Sequence, residues 1–296
     1  MLFFDALPEV KNYISAVHEE LNGMPGEKPT MTQKSLSYIS FCITALIVTG
    51  SLNWDKFERS CCGKWKAKAL SWMMKRSKRI PWSFLLIAST RIVARLYKVS
   101  HCHLVFDDFD RDRSKRTKMI YGTHKVRNKK GGGFISAQNI VILVLVTPVI
   151  TLPVFAWFYQ PDPIQKAWRK EDARLRNLKI RKKYRPKQPP LNSDYPTKKQ
   201  IAALLLRKFK YYFSGLDVKS ISGDAVYLSK YMKIEVEKIY PKVQFISQLR
   251  RNQRVMLHQK KSCRVDEYFE NRKPQEKVFK LRGHLSRSEE HTSELQ

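Results

Sequence analysis

His103-Leu-Val-Phe-Asp-Asp-Phe-Asp110 is the stretch on which the fold turns. A short apolar run, Leu104 to Phe106, delivers three carboxylates: Asp107, Asp108 and Asp110. The run is too short for a helix and rich in strand formers, which predicts a buried strand. Acids there are costly to desolvate unless something positive neutralises them. Arg111, Arg113, Lys115, Arg116 and Lys118 follow at once, so surface ion pairing is the plain explanation. The sharper one is half of a divalent-metal site at the strand's C-terminal end, with the basic run holding phosphates beside it. That alternative needs a second acid far along the chain.

The rest of the chain is unusually basic. Its 296 residues give room for a sizeable core, and 43% hydrophobic content excludes a disordered chain. The formal net charge is +31, from 57 Lys and Arg against 26 Asp and Glu, and the excess is spread throughout. Such a surface repels itself unless a polyanion is the partner, and nucleic acid fits best; an anionic membrane surface is the alternative. The five cysteines, Cys42, Cys61, Cys62, Cys102 and Cys263, fit no zinc or disulfide spacing. With no secretory signal in the sequence, they point to a reducing, cytoplasmic setting. His101-Cys102-His103 cannot converge on one metal, because alternate strand residues face opposite ways.

Upstream of the acids the pattern is helical. Val10, Tyr13, Ile14, Val17 and Leu21 share one face of a helix from Pro8 to Leu21, ended by Gly23 and Pro25. A second helix is expected from about Thr32 to Val48, closed by Gly50. At least two more helical pieces follow between Asn53 and Tyr97, broken at Gly63 and Pro81. Here Trp65, Trp72, Met73 and Met74 alternate with Lys64, Lys66, Lys68, Lys75 and Arg76. That mixture suits DNA binding and equally suits a bundle with a solvated basic face.

Downstream, Lys129-Lys-Gly-Gly-Gly133 reads as a flexible basic turn. Residues 140–158 are apolar and long enough to span a bilayer. Pro148, Pro153 and heavy β-branching predict instead a buried hairpin that turns at Thr147-Pro148. Lys179 to Thr197, with many cations and clustered prolines, reads as a solvated linker. A helix is expected over Lys198 to Phe213, then a strand from Val218 ending in Asp224. A helix from Ala225 to Ile239 and a strand from Val243 to Leu249 complete the pattern.

Asp224 is the second acid. If its strand lies beside the first, Asp108 and Asp224 project from neighbouring strand ends into one pocket. Carboxylates that close repel unless a cation sits between them. Magnesium or manganese is the economical choice, since hard oxygen ligands suit those ions.

Several separate blocks carry a family resemblance. They are Leu-Val-Phe-Asp-Asp-Phe-Asp110 with Arg-Ser-Lys-Arg-Thr-Lys118, and Gly-Gly-Gly133 leading into the apolar hairpin. Gln160-Pro-Asp-Pro163, Ala-Trp-Arg-Lys-Glu-Asp172, Ser-Gly-Asp-Ala-Val-Tyr227 and Ile-Ser-Gln-Leu-Arg250 also belong to the pattern. In these, from about Leu7 to Gly283, the chain resembles the insertion-sequence transposases of the DDE class. The resemblance implies an α/β fold: an RNase H-like mixed sheet flanked by helices, preceded by an N-terminal all-helical domain. It divides the chain into a helical DNA-binding region, 1–100, and a catalytic core, 101–286, incomplete at its C-terminus. Residues 287–296, Arg-Ser-Glu-Glu-His-Thr-Ser-Glu-Leu-Gln, resemble the conceptual translation of a short-read sequencing adapter and are expected to be non-native.

By the same resemblance, Asp108 and Asp224 are the catalytic, metal-binding acids, with Asp107 the alternative to Asp108 because Phe109 stands where Thr is common. The third acid, a Glu on a late helix after a β-rich insertion, finds no match. Tyr268, Arg272 and Glu276 mimic its signature, but Pro274 breaks the required helix. Lys115, Arg116, Lys118, Lys125 and Arg127 are the expected phosphate contacts. The implied activity is cut-and-paste DNA strand cleavage and strand transfer with Mg2+ or Mn2+. It would be performed by a homodimer at the bacterial nucleoid without membrane involvement, and poorly by a chain with two acids. The alternative is a basic DNA-binding protein without chemistry.

Overall fold

The computed structural model describes residues 5–26, 29–76, 80–114, 120–128, 131–249, 254–256, 262–270, 277–281 and 284–288. Two compact units are distinguishable. The first comprises Met1–Cys102, Leu145–Phe155 and Lys208–Asp217, and the second His103–Val144, Ala156–Arg207 and Val218–Gln296.

The first unit is built on helices α1 (Pro8–Asn22), α2 (Gln33–Thr49), α3 (Trp54–Ser60), α4 (Ala67–Arg76) and α5 (Trp82–Leu96). Local signals account for their ends. Pro8 opens α1, Thr32 Oγ1 accepts the Ser35 N–H at the start of α2, and Gly50 closes α2 in the left-handed conformation. Asn53 caps α3 by accepting from the Asp55 and Lys56 N–H groups. Val10, Ile14, Val17 and Leu21 are buried, and α1 packs on α2 and α5. Trp65 stacks on Phe41 at 5.3 Å between ring centres and is half-buried, whereas Trp72 stays exposed. The same unit holds the turn of the apolar hairpin, where the Thr147 N–H donates to the Ile150 carbonyl at 2.9 Å and Pro148 lies between.

The chain is mixed α/β. Its main sheet contains β1 (His101–Arg113), β2 (Thr123–Arg127), β3 (Phe134–Val146), β4 (Thr151–Tyr159), β5 (Asp217–Gly223) and β6 (Gln244–Ser247). The order is β2-β3-β1-β5-β6, and β4 also pairs with β3. Residues 140–158 therefore fold as a hairpin, and Pro153 lies in a strand with one neighbour, where a missing N–H is tolerated. β2 pairs antiparallel with β3, and β5 parallel with β6. Among the described residues no single helix is long and apolar enough to cross a membrane. α2 with α3 passes that test only as a pair bent by 90°.

In the second unit, helix α6 (Pro163–Asn177) is capped by Asp162, and the first ten residues of α7 (Lys198–Tyr212) follow with Ile201, Ala202 and Leu205 buried. Thr197 and Gln200 exchange hydrogen bonds across the first turn of α7, a capping box. Helix α8 (Lys230–Ile239) and a second, antiparallel sheet complete the unit. The latter runs β10-β9-β7-β8, from β7 (Arg254–Met256), β8 (Ser262–Arg264), β9 (Lys277–Leu281) and β10 (His284–Ser288), with α9 (Val265–Phe269) between β8 and β9.

One expectation needs correction, and two features were not anticipated. The segment before the glycine turn contains a strand, β2, that its basic composition concealed. α8 starts at Lys230 rather than Ala225, because Asp224 Oδ1 accepts the Val226 N–H in a turn and Ser229 supplies the cap. The proline-rich stretch is largely exposed, as expected, and is also tied to α6: Gln165 Nε2 donates to the Pro189 and Pro190 carbonyls at 2.6 and 3.2 Å. Trp168 Nε1 donates to the Pro186 carbonyl at 2.8 Å, and Arg185 pairs with Asp172.

Candidate metal and nucleic-acid site

The phase of β1 decides which acids can meet. Cys102, Leu104 and Phe106 are buried, and Asp108 and Asp110 continue their face beyond the core; Asp107 and Phe109 lie exposed on the other. The Asp108 side chain is only 7% exposed. Its Oδ2 accepts a hydrogen bond from Lys198 Nζ at 2.6 Å and another from Asn139 Nδ2 at 3.3 Å. Its Oδ1 accepts the Tyr227 hydroxyl at 3.5 Å. Asn139, on β3, also donates to Asp110 Oδ1 at 2.7 Å, so two carboxylates fix how its amide is turned. Its own Oδ1 is buried without a hydrogen-bond partner.

Asp224 directly follows β5, the neighbour of β1. Its carboxylate is exposed, while its main-chain carbonyl accepts Ser247 Oγ from β6 at 2.9 Å. Burial, then the charges of Asp108, Asp224 and Asp107, push the Tyr227 phenol well above the ordinary tyrosine range, so it stays protonated and donates. The ring lies 5.5 Å from that of Phe106 and covers Gly223, where a Cβ would come within 3.2 Å of the Tyr227 ring.

That contact carries a prediction. Gly223→Ala should displace Tyr227 and cost about 1–3 kcal/mol, the usual range for overpacking. Chemical denaturation would measure it, and an unchanged midpoint would mean that Tyr227 does not depend on the glycine.

The donor chemistry suits a hard divalent cation: Asp108 Oδ1 has only a long contact and Asp224 is exposed. Among the described residues no group of three or more His, Cys, Asp and Glu side chains could hold a metal ion by itself. Asp108 in β1 and Asp224 just after β5 thus belong to neighbouring strands' ends, with Lys198 the cation in direct contact with Asp108.

Beside the acids lies a cleft of about 270 Å³ lined by His124, Lys125, Tyr159, Lys166, Arg169 and Tyr195 among others. Lys198 Nζ stands 5.4 Å from the centre of the Tyr159 ring, between cleft and carboxylates. Lys125 and Arg127 project exposed from β2, and Lys125 Nζ lies over the Phe134 ring. Lys115, Arg116 and Lys118 lie outside the described residues, as do Arg272, Pro274, Glu276 and residues 289–296. Tyr268 is buried in α9, and Arg287 and Ser288 lie in β10.

Sequence reasoning missed Lys198, Asn139 and Tyr227. Lys198 alone leaves a trace: the capping box Thr197-Lys-Lys-Gln200 puts a cation in a helix's first turn, where the macrodipole disfavours it unless an anion is near. The other two carry no signal without the sheet. A scan against protein-family models finds no family that matches this chain, and a search of the curated proteins finds no match either.

Proposed function

We propose that this chain is a metal-dependent DNA strand-cleaving and strand-transferring enzyme of the DDE transposase type, with an RNase H-like core. The observation that carries the reading is that Asp108 lies in β1 and Asp224 directly follows β5, the strand beside β1 in one sheet. Leaving out β2, the strands run β4-β3-β1-β5-β6, a meander followed by two more strands, with the first and fourth adjacent as the reading requires. The antiparallel sheet after β6 stands where a β-rich insertion is implied.

Asp108 and Asp224 would hold Mg2+ or Mn2+, which supplies activation of a hydroxyl nucleophile and neutralisation of charge on the phosphate. Tyr227 and Asn139 orient the Asp108 carboxylate by donating to it. Lys125 and Arg127, with Lys166 and Arg169 in the cleft, attract and seat the phosphate backbone. DNA ends and target DNA are the partners.

A second reading, a DNA-binding protein without chemistry, is favoured by the Lys198–Asp108 pair, which already neutralises one acid. Supercoiled DNA incubated with the purified chain separates the two. Slow single-strand nicking that requires Mn2+ or Mg2+ and stops on chelation is expected. DNA that is bound yet never nicked at any cation concentration would favour the second reading.

A further inference from the structure

Lys198 is in an unexpected place for a lysine. It sits in the first turn of α7, where the helix dipole opposes a positive charge. Its ammonium nevertheless lies 2.6 Å from Asp108 Oδ2 and is only 24% exposed along its side chain. It occupies the carboxylate on which the proposed cation depends. The same ammonium borders the Tyr159 wall of a cleft that also carries Lys125, Lys166 and Arg169.

We propose that Lys198 is a built-in competitor for the divalent cation: it holds Asp108 until DNA enters the cleft, then transfers to a phosphate and frees the carboxylate. The inference rests on the proposed metal site and adds to it a coupling between DNA and metal. A lysine suits the task, because its compact charge rides on a flexible four-carbon stem and can change partners without moving the helix. Asn139 and Tyr227 keep Asp108 in place when the ammonium leaves. Thr197, adjacent to Lys198, lines the cleft, so a phosphate bound there lies within the reach of that stem. Binding energies are reciprocal, so DNA must tighten the cation by the same factor by which the cation tightens DNA. An enzyme of this design holds its metal weakly until it has a substrate.

The test is Mn2+ binding to the full chain, followed by electron paramagnetic resonance with and without a short DNA duplex. Lys198→Met and Lys198→Gln are compared with the unaltered protein, after thermal melting shows that each variant is folded. Gln keeps a neutral donor for Asp108, so it serves if Met proves unstable. Without DNA, both variants should bind Mn2+ about tenfold or more tighter, the weight of one charge-assisted hydrogen bond. Added DNA should tighten Mn2+ binding in the unaltered protein and do little in the variants. A lysine with a merely structural role would give unchanged or weaker Mn2+ binding when removed, and that result overturns the proposal. Asp108→Ala is the control: if it leaves Mn2+ binding unchanged in every background, the metal site itself fails, and this proposal with it.

Discussion

Replacing Asp108 with Ala is expected to weaken Mn2+ binding by at least about a hundredfold, because the affinity of an oxygen site follows its count of charged ligands. Any cation-dependent nicking should vanish with it. Asp107→Ala should change neither by more than about twofold, since exposed side chains away from such features tolerate substitution. The two acids are neighbours in sequence but lie on opposite faces of β1, with Asp108 on the face of Phe106. DNA affinity should survive the loss of Asp108, because the cations that seat phosphates belong to β2 and the cleft. Calorimetric titration of Mn2+ into the three proteins measures the difference. A strong loss in Asp107→Ala with none in Asp108→Ala would move the site to the other face of the strand.

DNA binding itself should be dominated by salt. The net charge of +31 and the exposed cations Lys125 and Arg127 point to many phosphate contacts and no demand for base readout. Each neutralised phosphate releases condensed counterions, so affinity should fall about a thousandfold or more between about 50 and about 200 mM salt. Fluorescence anisotropy of a labelled duplex across that range gives the slope. Asp108→Ala and Asp224→Ala should reproduce the slope of the unaltered chain. A flat dependence would show that contacts other than phosphates carry the affinity.

Much of this architecture is legible in the sequence where the signal is local. Thr32 and Gly50 bound α2 because one side chain satisfies an orphan N–H and one glycine accepts a left-handed turn. Pro148 marks the hairpin because neither a helix nor a central strand tolerates it there. The alternation of β1 separates Asp107 from Asp108. What stayed hidden depends on partners far away in the chain. β2 is five residues with little apolar alternation, made a strand by pairing with Phe134 to Gln138. Lys198 reaches Asp108 across 90 residues of sequence, and its side chain type alone names no partner. The proline-rich stretch is solvated as its cations suggest, and its tie to α6 is what the composition hides. It is held by carbonyls, which no side-chain pattern reveals, bonded to Gln165 and Trp168.

The proposed chemistry needs one divalent cation shared by Asp108 and Asp224. Crystals of the protein with a DNA duplex and Mn2+, measured at the manganese absorption edge, test it most directly. An anomalous peak is expected between the two carboxylates, bonded to an oxygen of each, with Lys198 withdrawn from Asp108. A peak that touches neither acid, or Asp108 still paired with Lys198 beside bound DNA and manganese held elsewhere, would contradict it.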